Sequence, residues 1–229
     1  MIEIPYSDIV VGGNDAFEFL QAQLTSDLRR LDDEPLLLSA WCSPKGRVIT
    51  MLRAHRDGDG FALSLLGELA DSVVKRLTMF RFRAKVDFAT RPTDPATLGI
   101  GESLSDWQLG NLHAGIVEIR SAQSEAFTPH MLNLDLIGAV SLDKGCYPGQ
   151  EIVARTHYRG ATKRRLQRFE SRVAVTEGTE VLNGNRKVGE VVNAIGTDLL
   201  AVVPLDATAD LTAGAGITLL RRPLPYLDD

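Results

Sequence analysis

The stretch DKGCYPGQEIVARTHYRG, residues 143–160, sets one of the chain's two cysteines between two glycines, two residues after a lysine and just ahead of a helical pattern. Pro148 and Gly149 suit the first turn of a helix that continues as QEIVART, because the amides of that turn have no helical acceptor and proline lacks one altogether. Cys146 would then stand at the mouth of the helix, where free amides and the positive end of the dipole favour a thiolate. Lys144 would add to this if its ammonium lay nearby. Gly145 and Gly149 leave room for unusual dihedrals or for the close approach of a ligand. On spacing alone a lone cysteine is more often a small buried hydrophobe; its place ahead of a helix tips the balance towards a working thiol without settling it.

Outward from the cysteine, the charge is uneven. Between Asp143 and Arg172 there are eight Lys/Arg residues (144, 155, 159, 163, 164, 165, 168 and 172) against three acids, in a chain of net charge -5. The basic run is either a solvated face or an anion-attracting rim beside Cys146. The acidic whole, with a pI near 5.4, excludes a general electrostatic adhesive for nucleic acid or anionic membrane.

Towards the N-terminus, apolar residues recur at Phe17, Leu20, Leu24, Leu28 and Leu31, which predicts one amphipathic helix over 13–31, opened by Asp15 and Glu18 as a capping-box variant. PLLLSAWCS (35–43), RVITMLRAHR (47–56) and FALSLL (61–66) read as antiparallel strands joined by Pro44-Lys45-Gly46 and Asp57-Gly58-Asp59-Gly60. A helix over 67–80, a strand at 84–89, a loop over 90–105, a helix over 107–113 and a strand at 115–119 follow. Hairpins outnumber crossovers, so the fold class is α+β.

Past Arg165 the pattern changes to short strands (RRLQRFES, GTEVL, KVGEVVNAI, LLAVVPL and GITLL) punctuated by Asn183-Gly184-Asn185, Gly196-Thr197-Asp198 and Gly214-Ala215-Gly216. That spacing predicts a small β-barrel. The expected division is therefore an α+β region over 1–165, made of two interleaved lobes, and a C-terminal barrel over 166–229.

Lys144-Gly145-Cys146-Tyr147-Pro148-Gly149-Gln150-Glu151 matches every specified position of the K-G-C-Y-x-G-Q-E signature of the YgfZ family, folate-binding relatives of the glycine-cleavage T-protein, an aminomethyltransferase. The resemblance runs through 127–166, extends to FLQAQLTSDL (19–28), the WCSPKGRV turn (41–48) and KVGEVVNAIGTDLLAVVPL (187–205), and so covers essentially the whole chain. It implies the ring-like folate-binding fold of these proteins, with tetrahydrofolate or a derivative as cofactor, and a role in supporting iron-sulfur enzymes or their assembly proteins and, through them, tRNA modification. Lys144, Gly145, Cys146, Tyr147, Gln150 and Glu151 would line the folate site, with Lys144 and Cys146 carrying any chemistry. A pterin is flat and apolar and its glutamyl tail is anionic, so Arg155 and Arg159, one turn apart, are candidates for the tail.

Two other functions compete. A folate-dependent aminomethyltransferase or demethylase needs an acid/base group, and where the catalytic relatives carry a carboxylate after the glycine turn this chain has Thr50 and Met51. An RNA or protein adaptor would use the basic segment 155–172, with Phe169 to stack on bases. Metal ligation is not expected from spacing: His55, His113, His130 and His157 share no ligand pattern, and there is no Cys-x-x-Cys. Cys42, in a strand-like run, should be buried and inert. No window approaches the ~20 apolar residues of a spanning helix and the N-terminus lacks a signal-peptide pattern, so a soluble cytoplasmic protein is expected.

Overall fold

A computed structural model describes residues 4–160, 162–207 and 210–227, with all their side chains except that of Arg159. The chain forms two compact units, one of Met1–Ile100, Ile119–Pro129 and Gly138–Ala154, the other of Gly101–Glu118, His130–Ile137 and Arg155–Asp229.

The first unit is built on a five-stranded antiparallel sheet with strand order β2-β3-β4-β1-β5, formed by β1 (Tyr6–Gly12), β2 (Leu37–Cys42), β3 (Val48–Asp57), β4 (Gly60–Leu66) and β5 (Asp87–Pro92). Strand β4 is buried along its whole length and β3 over its first eight residues. That explains why β4 is apolar but for Ser64 and why β3 shows no apolar–polar alternation, since a strand shut from water on both faces has no solvent side to alternate with, although β3 also buries Thr50, Arg53 and His55. Helix α2 (Gly67–Phe80) buries Leu69, Val73 and Leu77 on the stripe their spacing predicts. Asp8, fully buried on β1, accepts hydrogen bonds from Ser64 and Thr93 at 2.7 Å and from Arg91 at 3.3 Å, so neighbouring strands supply the partners its charge requires.

The helix expected over 13–31 is cut to six residues, α1 (Ala16–Gln21). Thr25, Ser26 and Asp27 break it. The amide of Thr25 donates to Ala40 O, that of Ser26 to Ser39 Oγ, and Asp27 caps the amide of Arg29 to open a 3₁₀ turn over Leu28–Asp32. The leucines still reach the core, with Leu20, Leu24 and Leu28 at 0% exposure. Burying one leucine is worth about 1.5–3 kcal/mol, whereas helix propensities differ by ~0.7 kcal/mol or less per residue. Burial therefore survives the loss of the helix. Asp15 does not cap α1; its carboxylate accepts the amide of Lys85 at 2.7 Å. The strand expected at 84–89 begins at Asp87 and runs into the expected loop, because its register is set by pairing with β1.

In the second unit, β6 (Arg164–Ser171), β7 (Glu180–Asn183), β8 (Arg186–Ile195), β9 (Asp198–Pro204), β10 (Leu211–Ala213) and β11 (Ile217–Arg222) close a barrel in the order β10-β11-β6-β9-β8-β7. Its interior holds Phe169, Val181, Val191, Leu199, Ala201, Val203 and Leu211. The strand β10, only three residues long, is below the length at which alternation can be read. Helix α3 (Leu104–His113) ends where expected but begins three residues earlier, inside the expected loop, where Ser103 caps it by accepting the amide of Asp106. Residues 115–119 are not a strand. Asn193 on β8 satisfies the segment instead, accepting the amide of Glu118 and donating to its carbonyl, both at 2.9 Å, so a side-chain amide takes the place of a neighbouring strand. Among the described residues no helix is long and apolar enough to cross a membrane.

Candidate functional site

The signature segment is an irregular loop over 141–149 leading into α4 (Gln150–Arg159). Lys144 is buried, at 6% exposure, and its Nζ donates to Leu24 O at 2.6 Å and Ser26 O at 3.0 Å, the two carbonyls freed where the N-terminal helix breaks. Burial lowers the lysine's pKa to about 8, with Asp27 working against that shift. Asp27 itself is held well below the usual carboxylate range by its hydrogen bonds to Arg29. Tyr147 is also buried, its ring 5.4 Å from the lysine Nζ, and desolvation pushes its phenol up. Lysine and tyrosine thus fix the loop on both sides of Gly145 and Cys146.

The next anchor is Gly149. It has φ +81°, and a Cβ there would stand 2.6 Å from the Cα and N of Gly46 and from Ser43 O. The turn between β2 and β3 and the end of the signature loop therefore pack backbone against backbone. Gly149 also corrects the expected helix start. A left-handed residue cannot sit in a helix, so α4 begins at Gln150, with Gly149 O accepting from Ile152 and Val153. Cys146 consequently lies ahead of the turn at 148–149, not among the free amides of the first helical turn.

What the loop presents is the stretch between its anchors. Cys146 is exposed, and a side chain on Gly145 would meet nothing within 4 Å. Cys42, in contrast, is buried, and burial pushes its thiol up to about 12, which leaves it inert as the sequence suggested. Gln150 is half-buried and Glu151 exposed at the start of α4, where an acidic side chain suits the helix dipole. Arg155 is exposed on the part of α4 assigned to the second unit, and the Arg159 side chain lies outside the described residues. The structure thus joins Lys144, Gly145, Cys146, Tyr147, Gln150 and Glu151 on one continuous segment of the first unit.

Thr50 and Met51 are both buried in β3, and the Thr50 hydroxyl donates to Met51 O. Phe169 is 1% exposed inside the barrel, so it offers no face to a base. Within the basic segment, Arg165 pairs with Asp135 and Arg168 with Asp198, so part of its charge is already neutralised. Sequence spacing gave no hint that His130, Asp135 and His157 converge in the second unit, with potential ligand atoms all within 4.8 Å of one another.

No family model matches the chain. It is 31% identical to an uncharacterized protein of Haemophilus influenzae, over 96% of this chain and 95% of that protein. It is also 31% identical to the tRNA-modifying protein YgfZ of Escherichia coli O157:H7, over 84% of this chain and 77% of the relative, and 30% identical to that of Enterobacter sp., over 86% and 78%. Among solved structures, the glycine cleavage system aminomethyltransferase T of Bartonella henselae matches with a TM-score of 0.72 at 16% identity, covering 97% of this chain and 84% of that one, which establishes the shared fold. With this level of identity to YgfZ proteins over most of both chains, and an intact K-G-C-Y-x-G-Q-E segment anchored by the residues its pattern specifies, the chain belongs to the YgfZ family.

Proposed function

We propose that this protein binds tetrahydrofolate, or a derivative of it, and serves as an accessory factor in iron-sulfur cluster assembly or repair and in the tRNA modification that depends on those clusters. Cys146 would be its working thiol, as a redox group or a transient ligand. The observation that carries this reading is the exposure of Cys146 beside the open space at Gly145, on a loop held by Lys144, Tyr147 and Gly149. The name of its YgfZ relatives, tRNA-modifying protein, supports the tRNA link.

The residues suit a folate. Gln150 and Glu151 offer an amide and a carboxylate of the kind that pairs with the hydrogen-bonding edge of a pterin, Gly145 leaves clearance, and the buried Tyr147 Oη has no hydrogen-bond partner among the described residues. Arg155 and Arg159 would take the anionic tail. When bound, tetrahydrofolate supplies a one-carbon carrier and a reduced ring. Lys144 acts as a positioning residue, its ammonium committed to two carbonyls. Buried Thr50 and Met51 in place of a carboxylate argue against classical aminomethyl transfer, and a buried Phe169 argues against base stacking along 155–172.

Thermal unfolding with added tetrahydrofolate tests the reading. A ligand at a hundred times its Kd stabilises the folded state by about 2.7 kcal/mol, a shift of several degrees in the midpoint. Wild type and Cys146→Ala should both show it, while cells carrying Cys146→Ala lose activity of an iron-sulfur-dependent tRNA-modifying enzyme. A wild-type midpoint indifferent to about millimolar folate would end the proposal.

A further inference from the structure

We infer that the second unit carries a binding site for a first-row divalent cation of the zinc type, with His130, Asp135 and His157 as its ligands and at least one coordination position left open. The site is distinct from the thiol loop and independent of the folate reading.

Its buried half is preformed. His130 begins a 3₁₀ turn over His130–Leu132, and Asn133 follows in the left-handed region, at φ +58°. That reversal brings the His130 and Asp135 side chains together, with Nε2 3.9 Å from Asp135 Oδ2. Asn133 holds the reversal in place: its Nδ2 donates to Leu166 O at 3.0 Å and to Tyr226 Oη at 3.3 Å, while its Oδ1 accepts from Arg165 at 3.2 Å. Arg165 also grips Asp135 through both guanidinium nitrogens, at 3.0 and 2.9 Å, which orients the carboxylate and leaves each oxygen a second lone pair.

The second observation is His130 itself. It is 2% exposed, yet neither Nδ1 nor Nε2 has a hydrogen-bond partner among the described residues. Buried polar atoms are normally satisfied. A cation between His130 and Asp135 would satisfy Nε2, and burial favours the neutral imidazole that binds metal. His157 projects from α4 with its ring 6.1 Å from that of His130, braced edge-on by Tyr158 at 5.1 Å.

Two imidazoles and a carboxylate are the donor set of open zinc and iron(II) sites. The present separations, up to 4.8 Å, are wider than a bound ion allows. The exposed His157 is the ligand free to close that gap. Spacing could not reveal the site, because its donors come from a reversed loop and a helix rather than from a motif.

Titration of zinc into the full-length protein, by calorimetry and by the visible absorption of cobalt in the same site, tests the inference in a Cys146→Ala background so that the thiol does not compete. One equivalent should bind. His157→Gln, His130→Gln and Asp135→Asn should each weaken binding by at least about tenfold, whereas His113→Gln, which alters a separate His–Asp pair, should not. Because His157 is exposed, its variant remains informative even where a core substitution disturbs folding. Unchanged affinity in His157→Gln, or no uptake by the parent protein at about 100 µM zinc, overturns the assignment.

Discussion

Two irregular segments, adjacent in sequence but belonging to different units, hold their shape by opposite means. In the first unit the segment ending at Gly149 is pinned by a cation, Lys144, whose ammonium is buried against two carbonyls. In the second, residues 130–137 are pinned by a neutral amide, Asn133, which is fully buried and serves as donor twice and acceptor once. Each device stands beside the groups of a proposed site, exposed Cys146 in one case and His130 with Asp135 in the other. A charged anchor makes its loop sensitive to pH, and an amide anchor does not. The chain's two tryptophans report separately, since Trp41 lies in the first unit and Trp107 in the second.

The sharpest way to break the first anchor is at its glycines. Gly149→Ala should cost at least about 3 kcal/mol, combining the left-handed penalty of ~1–2 kcal/mol with contacts to rigid backbone. Gly145→Ala, where a Cβ meets open space and φ is not positive, should stay within about 0.5 kcal/mol. Urea unfolding followed by Trp41 fluorescence, in a Trp107→Phe background, makes the measurement. Equal costs at the two glycines would mean that the Gly149–Gly46 contact does not hold the loop.

That contrast also marks how far the sequence could be read. The signature fixed attention on six residues that the fold does place on one segment, and five of the six barrel strands were visible because a glycine-bearing turn bounds each of them, whereas the three-residue β10 was not. Local patterns failed where distant partners decided the outcome. The leucine spacing over 13–31 recorded burial and not helix, since Thr25, Ser26 and Asp27 redirect the backbone to side-chain and strand partners. Lys144 looked like a neighbour for the thiol; its acceptors, Leu24 O and Ser26 O, exist only because that helix breaks. His130, Asp135 and His157 were silent for a similar reason, as their meeting depends on one left-handed asparagine.

The second anchor can be dissected at that asparagine. Asn133→Ala removes three hydrogen bonds, one buried and two part-buried, and keeps a Cβ in the left-handed region, so a loss of about 2–3 kcal/mol is expected. Asn133→Gly relieves the backbone and should recover about 1 kcal/mol of it. Trp107 fluorescence during urea unfolding, with Trp41→Phe, reads both. Should glycine match the wild type, the amide's hydrogen bonds contribute nothing and the loop is held by its other contacts, the Arg165–Asp135 pair among them.

The smallest effect separates the two anchors by their charge. In the folded protein Lys144 has its pKa lowered to about 8 by burial, against 10.5 for the free side chain. Between those values the unfolded chain carries a proton that the folded chain has released, so stability contributed by this group rises with pH across the window and is flat below about pH 8. Lys144→Met does not titrate, and its deficit relative to wild type should therefore grow by roughly 2 kcal/mol between pH 8 and pH 10. Cys42 works in the other direction, since its buried thiol resists ionisation that the unfolded chain undergoes above about pH 9, but it does so in both proteins and cancels from the difference. The same comparison on Asn133→Ala should show no such slope. A deficit for Lys144→Met that stays constant with pH would mean the ammonium is as well solvated in the fold as in water, and the distinction between a charged and a neutral anchor would vanish.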